Sequence, residues 1–291
     1  MRILLWRAVL ALWVLIGGLL CRVRASGGQQ LPKSGAFLLL SNHTTRLDPG
    51  WIAWKVGRPV YFSTSQGLVR LPLMGLVARA LGRMTGNRFD FDTVDRENIR
   101  REYAQGRVIA VFPEGQTTWD GRQNPISPAV GGLIQELNAR VVFCRIKTGH
   151  LFKPRWARWP RWVSVEVEYD PPLRFPEDWS PEQVETEISK RLTIDPRVSP
   201  SGLSFGFHAT QGITRLLFAC PRCFERGTLR HPTWWRSHVR CTKCVARWRL
   251  TTANRLVAKT PSTESMHLID AVERLRESFG EDAPALDDRE A

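Results

Sequence analysis

Ser41-Asn42-His43-Thr44-Thr45-Arg46-Leu47-Asp48-Pro49 sets a histidine and an aspartate five positions apart. On one straight helix their side chains would point ~140° apart, so they can meet only across a turn. If they meet, Asp48 fixes the imidazole tautomer and steadies its protonated form, and the other ring nitrogen can take a proton from a hydroxyl. That is general-base chemistry. The same two residues serve as well in a capped turn, and alone they do not choose between the readings. A second junction of apolar run and loop, Val111-Phe112-Pro113-Glu114-Gly115, favours chemistry: it brings a carboxyl group and a flexible backbone to what would be the same sheet edge. A third constellation lies near the C-terminus, where Cys220-Pro221-Arg222-Cys223 and Cys241-Thr242-Lys243-Cys244 are separated by seventeen residues. Two such knuckles on short hairpins bind one zinc with four thiolates, a closed shell that is structural and has no part in a chemical step. A disulfide pair is the alternative, and His231 or His238 could replace a ligand.

Elements that position these groups are legible as runs. Residues 36–40 are continuously apolar after the turn at residues 31–35, as a buried strand is. Further strand patterns lie at residues 60–62, 108–112, 141–143 and 163–167, and residues 93–105 read as a helix with Asp92 as N-cap and Gly106 just past its end. Alternating strands and helices predict an α/β fold, a mixed sheet flanked by helices, with an N-terminal membrane helix and a small zinc-ribbon module. The expected organisation is an anchor over residues 1–30, a catalytic body over 31–194, a Pro/Ser/Gly linker over 195–206 and the ribbon over 207–258. Residues 259–291 hold an amphipathic helix, with Leu268, Val272 and Leu275 at helical spacing, and an acidic tail.

Lysine and arginine number 42 against 28 acidic residues, a net charge of +14 that favours anionic partners: lipid headgroups, nucleic acid or an acidic carrier protein. Residues 3–21 are apolar apart from Arg7, enough for ~28 Å of helix, about one hydrocarbon thickness. A signal peptide cleaved after Val23-Arg24-Ala25 is the rival reading. Arg22 and Arg24 resist translocation, which favours a retained anchor with the body on the cytoplasmic face, where paired cysteines stay reduced. Between Lys153 and Trp162, four cations alternate with three indoles and no acid. Such a run suits lipid phosphates and the headgroup level; a loop packed on the body by its tryptophans is the plainer alternative, and single-stranded nucleic acid a weaker one.

Together, the H-x-x-x-x-D of His43 to Asp48 and the F-P-E-G of Phe112 to Gly115 resemble, in order and separation, the glycerol-phosphate and lysophospholipid acyltransferase family. The resemblance covers roughly residues 30 to 190, and Gly82-Arg83-Met84-Thr85-Gly86-Asn87-Arg88 is similar to the family's intermediate block. It implies that His43, supported by Asp48, deprotonates an acceptor hydroxyl that attacks an acyl thioester without a covalent acyl-enzyme. It also implies that Arg88, Glu114 and Gly115 hold the acceptor's glycerol-phosphate. The donor would be acyl-CoA or acyl carrier protein, the acceptor a lysophosphatidate-type lysophospholipid, and the setting the phospholipids of a membrane's cytoplasmic face. Two departures leave the headgroup open: Gln116 stands where a threonine often follows F-P-E-G, and Cys144-Arg145 where an apolar strand usually has proline. The arginines and tryptophans around the cysteines support a rival function, a membrane-tethered nucleic-acid or protein-binding factor with an inactive body. The intact His43, Asp48 and Glu114 argue against it.

Overall fold

The computed structural model describes residues 21–65, 83–86, 93–231, 237–261 and 263–284, together with Trp6, Ala8 and Ala11. The body comprises β1 (Arg22–Ser26), β2 (Phe37–Ser41), α1 (Asp48–Ala53), β3 (Val60–Ser65), β4 (Arg83–Gly86) and α2 (Thr93–Ala104). It continues through β5 (Val108–Val111), α3 (Ala129–Glu136), β6 (Val141–Ile146), α4 (Gly149–Phe152), β7 (Ser164–Tyr169) and α5 (Pro181–Leu192). A second unit follows: β8 (Leu229–Arg230), β9 (His238–Cys241), β10 (Arg247–Leu250), β11 (Arg255–Ala258), β12 (Met266–His267) and α6 (Leu268–Phe279).

All five residues of β2 are buried, because its alternating side chains feed two cores. Phe37 and Leu39 join Val108 and Ala110 on one face, covered by Trp51, Ile52 and Ala53 of α1 and Leu151 and Phe152 of α4. Leu38 and Leu40 join Ile109 and Val111 on the other, beneath Ile99 of α2, Val130, Leu133 and Ile134 of α3, and Val184, Ile188 and Leu192 of α5. Truncating such a two-sided leucine to alanine costs ~2–5 kcal/mol. The local sequence also sets α5: Ser180 and Gln183 form a reciprocal capping box, Pro181 starts the helix, and its buried residues recur every fourth position.

The sheet runs in the order β1-β7-β6-β2-β5-β3-β4. Strands β2 to β6 are mutually parallel, β7 opposes β6, and β1 lies parallel to β7. The mixed α/β sheet anticipated from the runs is therefore present. Leu40 faces Val111 and Ser41 faces Cys144, so β2, β5 and β6 end at one edge. β7 and β1 run the other way, and their first residues lie at that same edge, Arg22 opposite Ser164.

Most of the expected anchor lies outside the described residues; within it Trp6, Ala8 and Ala11 are helical, and Trp6 is buried against the first core. Among the described residues no helix is long and apolar enough to cross a membrane. Residues 22–26, on the anchor side of the expected boundary, form β1 and pair with β7 along their whole length. The C-terminal helix starts at Leu268, the first residue of its apolar spacing, because Met266 and His267 pair with β11 and His267 and Asp270 then cap the helix reciprocally. That helix shares a core with the second sheet: Leu268, Ala271, Val272 and Leu275 pack with Leu229, Val239, Trp248, Leu250 and Leu256.

Candidate active site and metal centre

The turn leaving β2 is tied down before it presents any side chain. Asn42 is buried; its amide donates to Ile146 O at 3.0 Å and accepts from Ile146 N at 2.8 Å, fastening the turn to the end of β6. Asp48 opens α1 with no solvent exposure. Its carboxylate accepts from His43 Nδ1 at 2.8 Å, Thr44 Oγ1 at 2.9 Å, Thr45 Oγ1 at 3.0 Å, Thr45 N at 3.0 Å and Thr44 N. A carboxylate ringed by donors is held in one rotamer, and it dictates which ring nitrogen carries the proton. Nδ1–H points to Asp48, and Nε2 holds the lone pair.

The His43 side chain keeps 18% of its surface exposed, and among the described residues Nε2 has no hydrogen-bond partner. One flank of the ring is covered by Phe112, stacked at 4.2 Å and 18°. An Nδ1 held by a carboxylate and an Nε2 without a partner among the described residues are what a general base needs.

The loop after β5 grips the backbone of His43 from two sides. Glu114 Oε1 accepts from His43 N at 3.0 Å, and Thr118 N donates to His43 O at 2.9 Å. Glu114 Oε2 accepts from Asn124 N at 2.8 Å and Asn124 Nδ2 at 3.1 Å. Burial pushes the Glu114 carboxyl up to about 7, against the opposing pull of the Asn124 and His43 N–H groups. Glu114, expected against the acceptor, thus turns its oxygens inward onto protein donors. Gly115 is exposed at the turn, at a φ of 68° that side-chain-bearing residues rarely adopt. Its N–H closes the turn onto Phe112 O at 3.0 Å.

Arg88 lies outside the described residues. Neither departure from the expected pattern adds a free group: Arg145 is forked onto Asp170 and also reaches Arg191 O, while Gln116 Oε1 accepts from Arg155 at 3.3 Å. Asn42, Thr44, Thr45 and Asn124 were not singled out from the sequence. The first three stand inside the His-Asp turn, where short polar side chains signal backbone capping. Asn124 is ten positions from Glu114 and gave no signal.

Residues 153–162, expected at a lipid surface or packed as a loop, are in part packed into the fold and in part exposed. Trp156 is fully buried in the second core, and Arg161 is 1% exposed, bonding Asn254 Oδ1 at 2.7 Å and Ala209 O at 3.3 Å. Trp159, by contrast, is 47% exposed. The run is therefore a strap between the two units, with one indole left outside.

The four cysteines converge as the spacing required. Cys220 Sγ lies 3.7 Å from Cys244 Sγ, Cys223 Sγ 3.7 Å from Cys241 Sγ, and all four lie within 4.8 Å of one another. A tetrahedral zinc with ~2.3 Å bonds needs sulfurs ~3.8 Å apart, so the set fits such an ion. The two knuckles are built alike: Phe224 and Val245, each just past the second cysteine, adopt φ of 57° and 53°. His231 and His238 stand outside the group. Several basic residues nearby are engaged within the unit: Arg222 donates to Cys244 O, Lys243 pairs with Glu225, and Arg226 lies over Phe218 and Phe279 and donates to Asp282 O. Arg236 lies outside the described residues.

A family model described as Acyltransferase matches residues 22–147. Among solved structures the chain is similar to the 1-acyl-sn-glycerophosphate (LPA) acyltransferase PlsC from Thermotoga maritima, with a TM-score of 0.54 and 18% identity. The similarity covers 64% of this chain and 75% of that one, and at this identity it speaks for the fold. No curated protein matches the chain by sequence.

Proposed function

We propose that the body of the chain, which the Acyltransferase family model matches over residues 22–147, is an enzyme domain of the 1-acylglycerol-3-phosphate O-acyltransferase kind that acylates the hydroxyl of a lysophosphatidate-type lysophospholipid from a thioester donor. The donor is acyl-CoA or an acyl carrier protein. The observation that carries the reading is a partly exposed imidazole whose Nδ1 is committed to a buried, fully ringed carboxylate while Nε2 has no partner among the described residues.

In this reading Nε2 of His43 takes the proton of the acceptor hydroxyl as its oxygen attacks the thioester carbonyl. The tetrahedral adduct then expels the thiolate, which recovers the proton from His43, so ester and thiol leave with charges balanced. Asp48 stabilises the transient imidazolium, and Glu114 with Thr118 holds the His43 backbone in place. Arg88 and the exposed Gly115 turn take the acceptor phosphate, which a guanidinium binds through two parallel hydrogen bonds. The cysteines hold a structural zinc that supplies no step, and the body sits on the cytoplasmic face of a membrane, tethered by residues 3–21.

His43→Ala should abolish transfer by ~10²–10⁴-fold, the usual contribution of a positioned base, without shifting the melting temperature appreciably. Turnover of a long-chain lysophosphatidate by the purified, folded variant at near the parent rate would refute the mechanism.

A further inference from the structure

The linker expected between the two units is built into the body, and it leaves an apolar surface outside. Trp162 and Phe205 pair as a two-way bridge, Trp162 N to Phe205 O at 2.8 Å and Phe205 N to Trp162 O at 3.0 Å, with their rings stacked at 5.9 Å. Phe207 meets Phe205 edge-on at 5.9 Å. Leu203 is 78% exposed, Phe207 67%, Trp159 47% and Phe205 44%. Beneath them the buried Arg161 bonds Ala209 O and Asn254 Oδ1, so the backbone that carries the patch is fixed from behind. Large apolar side chains clustered and held out of the core mark a contact surface more often than chance exposure does.

Charge narrows the partner. The two contributing segments, residues 147–165 and 196–224, carry lysines and arginines and no aspartate or glutamate. Exposed Arg22, Arg24 and Arg158 stand beside the patch, Arg24 reaching Ser201 Oγ of the linker at 2.9 Å. Aromatic rings rimmed by cations match the headgroup level of an anionic bilayer.

Position narrows it further. Trp162 immediately precedes Val163 and β7, and Arg22 N bonds Val163 O at 3.3 Å, so the patch adjoins the point where the apolar residues 3–21 enter the body. The first residues of β7 and β1 lie at the sheet edge where β2, β5 and β6 end, the edge that carries His43 and Glu114. One strand, β6, lies between β7 and β2, so the two are about 10 Å apart at ordinary strand spacing.

We propose that Trp159, Trp162, Leu203, Phe205 and Phe207 form a second membrane contact, which seats the His43 edge of the sheet on an anionic bilayer. It rests on the reading that the acceptor is a lysophospholipid. A lipid with its chain in the bilayer offers its hydroxyl only at the headgroup level. An enzyme tethered by residues 3–21 alone could swing its active edge away from that level. A second contact on the active edge removes that freedom.

The test is hydrogen exchange of the full chain with and without vesicles, either phosphatidylcholine alone or with phosphatidylglycerol, on the parent and on Leu203→Ser with Phe207→Ser. Both positions are solvent-facing, so the double variant should melt like the parent. Anionic vesicles should slow exchange across residues 203–208 at least about fivefold in the parent and not in the variant. The variant should also lose about tenfold in transfer to a long-chain acceptor in vesicles while staying within about twofold on a short-chain, water-soluble acceptor. Exchange at 203–208 that ignores anionic vesicles overturns the contact. So does protection that appears in concentrated protein without lipid, which would assign the patch to a second copy. Because exchange needs no turnover, an inactive protein that still shows lipid protection would fail the catalytic reading and leave this one standing.

Discussion

Glu114→Gln separates two roles for the glutamate, holding the acceptor and bracing the histidine. In the structure both carboxylate oxygens face N–H donors: His43 N on one, Asn124 N and Nδ2 on the other. Glutamine offers one acceptor and one NH2, so one of these sets must confront a donor. Losing charge-assisted bonds of this kind costs ~1.5–3 kcal/mol each. Opposing that loss, burial has raised the carboxyl from 4.5 to about 7, and ionising it in the fold costs ~3 kcal/mol at ~1.4 kcal/mol per tenfold in proton affinity. Glutamine removes that cost. The two effects are of similar size, so above pH 7 the variant should melt within a few degrees of the parent.

Catalysis should not be spared in the same way. With the glutamine oxygen kept by the two Asn124 donors, its NH2 faces the His43 N–H, which is no longer held, and a displacement of ~1 Å at a reacting group costs ~10²-fold. We expect kcat to fall ~10- to 100-fold while KM for the lysophospholipid changes less than about threefold. The pH dependence gives a second check. A folded carboxyl raised above its unfolded value contributes stability fully present below pH 4.5 and lost as pH rises through about 7. The parent should therefore lose stability between pH 4.5 and 7 relative to Glu114→Gln, by up to ~3 kcal/mol in denaturant titrations. A rise of tenfold or more in acceptor KM with kcat intact would show that Glu114 touches the acceptor and that the brace is wrong.

Arg88→Ala should raise KM for a phosphate-bearing acceptor at least about tenfold and leave donor KM within about twofold, since a guanidinium–phosphate pair would be lost; equal effects on both substrates would remove Arg88 from the acceptor site. In Gly149→Ala the new Cβ would fall 2.2 Å from Thr44 Oγ1, the atom that donates to Asp48, so Thr44 must rotate. About tenfold in kcat should go with ~1 kcal/mol of stability, measured by steady-state rates and melting; unchanged kcat would mean that Asp48 holds His43 without this donor. Cys220→Ser with Cys241→Ser should remove one zinc per chain by metal analysis and expose the second unit to proteases. It should also cost more than about tenfold in transfer, and full activity after metal loss would show that the catalytic loop stands without the second core.

The polar turn after β2 was legible because its chemistry sits in consecutive residues: an apolar run stops, and histidine, hydroxyls and aspartate follow. The cysteine knuckles were legible for the same reason, each being local and its metal geometry fixed by spacing. What sequence could not supply were pairings between distant segments. Nothing local marks Arg22–Ser26 as an edge strand, since only register with β7 gives it a partner. Trp156 and Trp159 stand three residues apart in one basic run, yet one is a core residue of the second unit and the other faces solvent. Composition assigns both to the same surface, and tertiary packing divides them. Glu114 illustrates the converse: its motif located it at the site, but its orientation follows from Asn124 and the His43 backbone, which no spacing rule connects to it.

The same long-range packing alters what the zinc unit means for the reaction. A closed four-thiolate shell keeps the metal out of chemistry, and by that logic the unit is dispensable to the chemical step. The structure places Trp119, from the loop that follows Glu114, against the core the zinc unit is built around. Arg155 lies over that indole at 4.8 Å and donates to Thr117 O at 3.0 Å, and the next residue, Thr118, holds the carbonyl of His43. From the other side, Arg122 ties the loop to Glu273 of α6 at 3.0 Å. Left unfastened, the loop of residues 112–128 would sample many conformations, and every one that releases Thr118 N releases His43. A small unit that keeps its core only around a metal would still fix that loop once folded, so in the proposed reading the zinc would set from a distance where His43 stands.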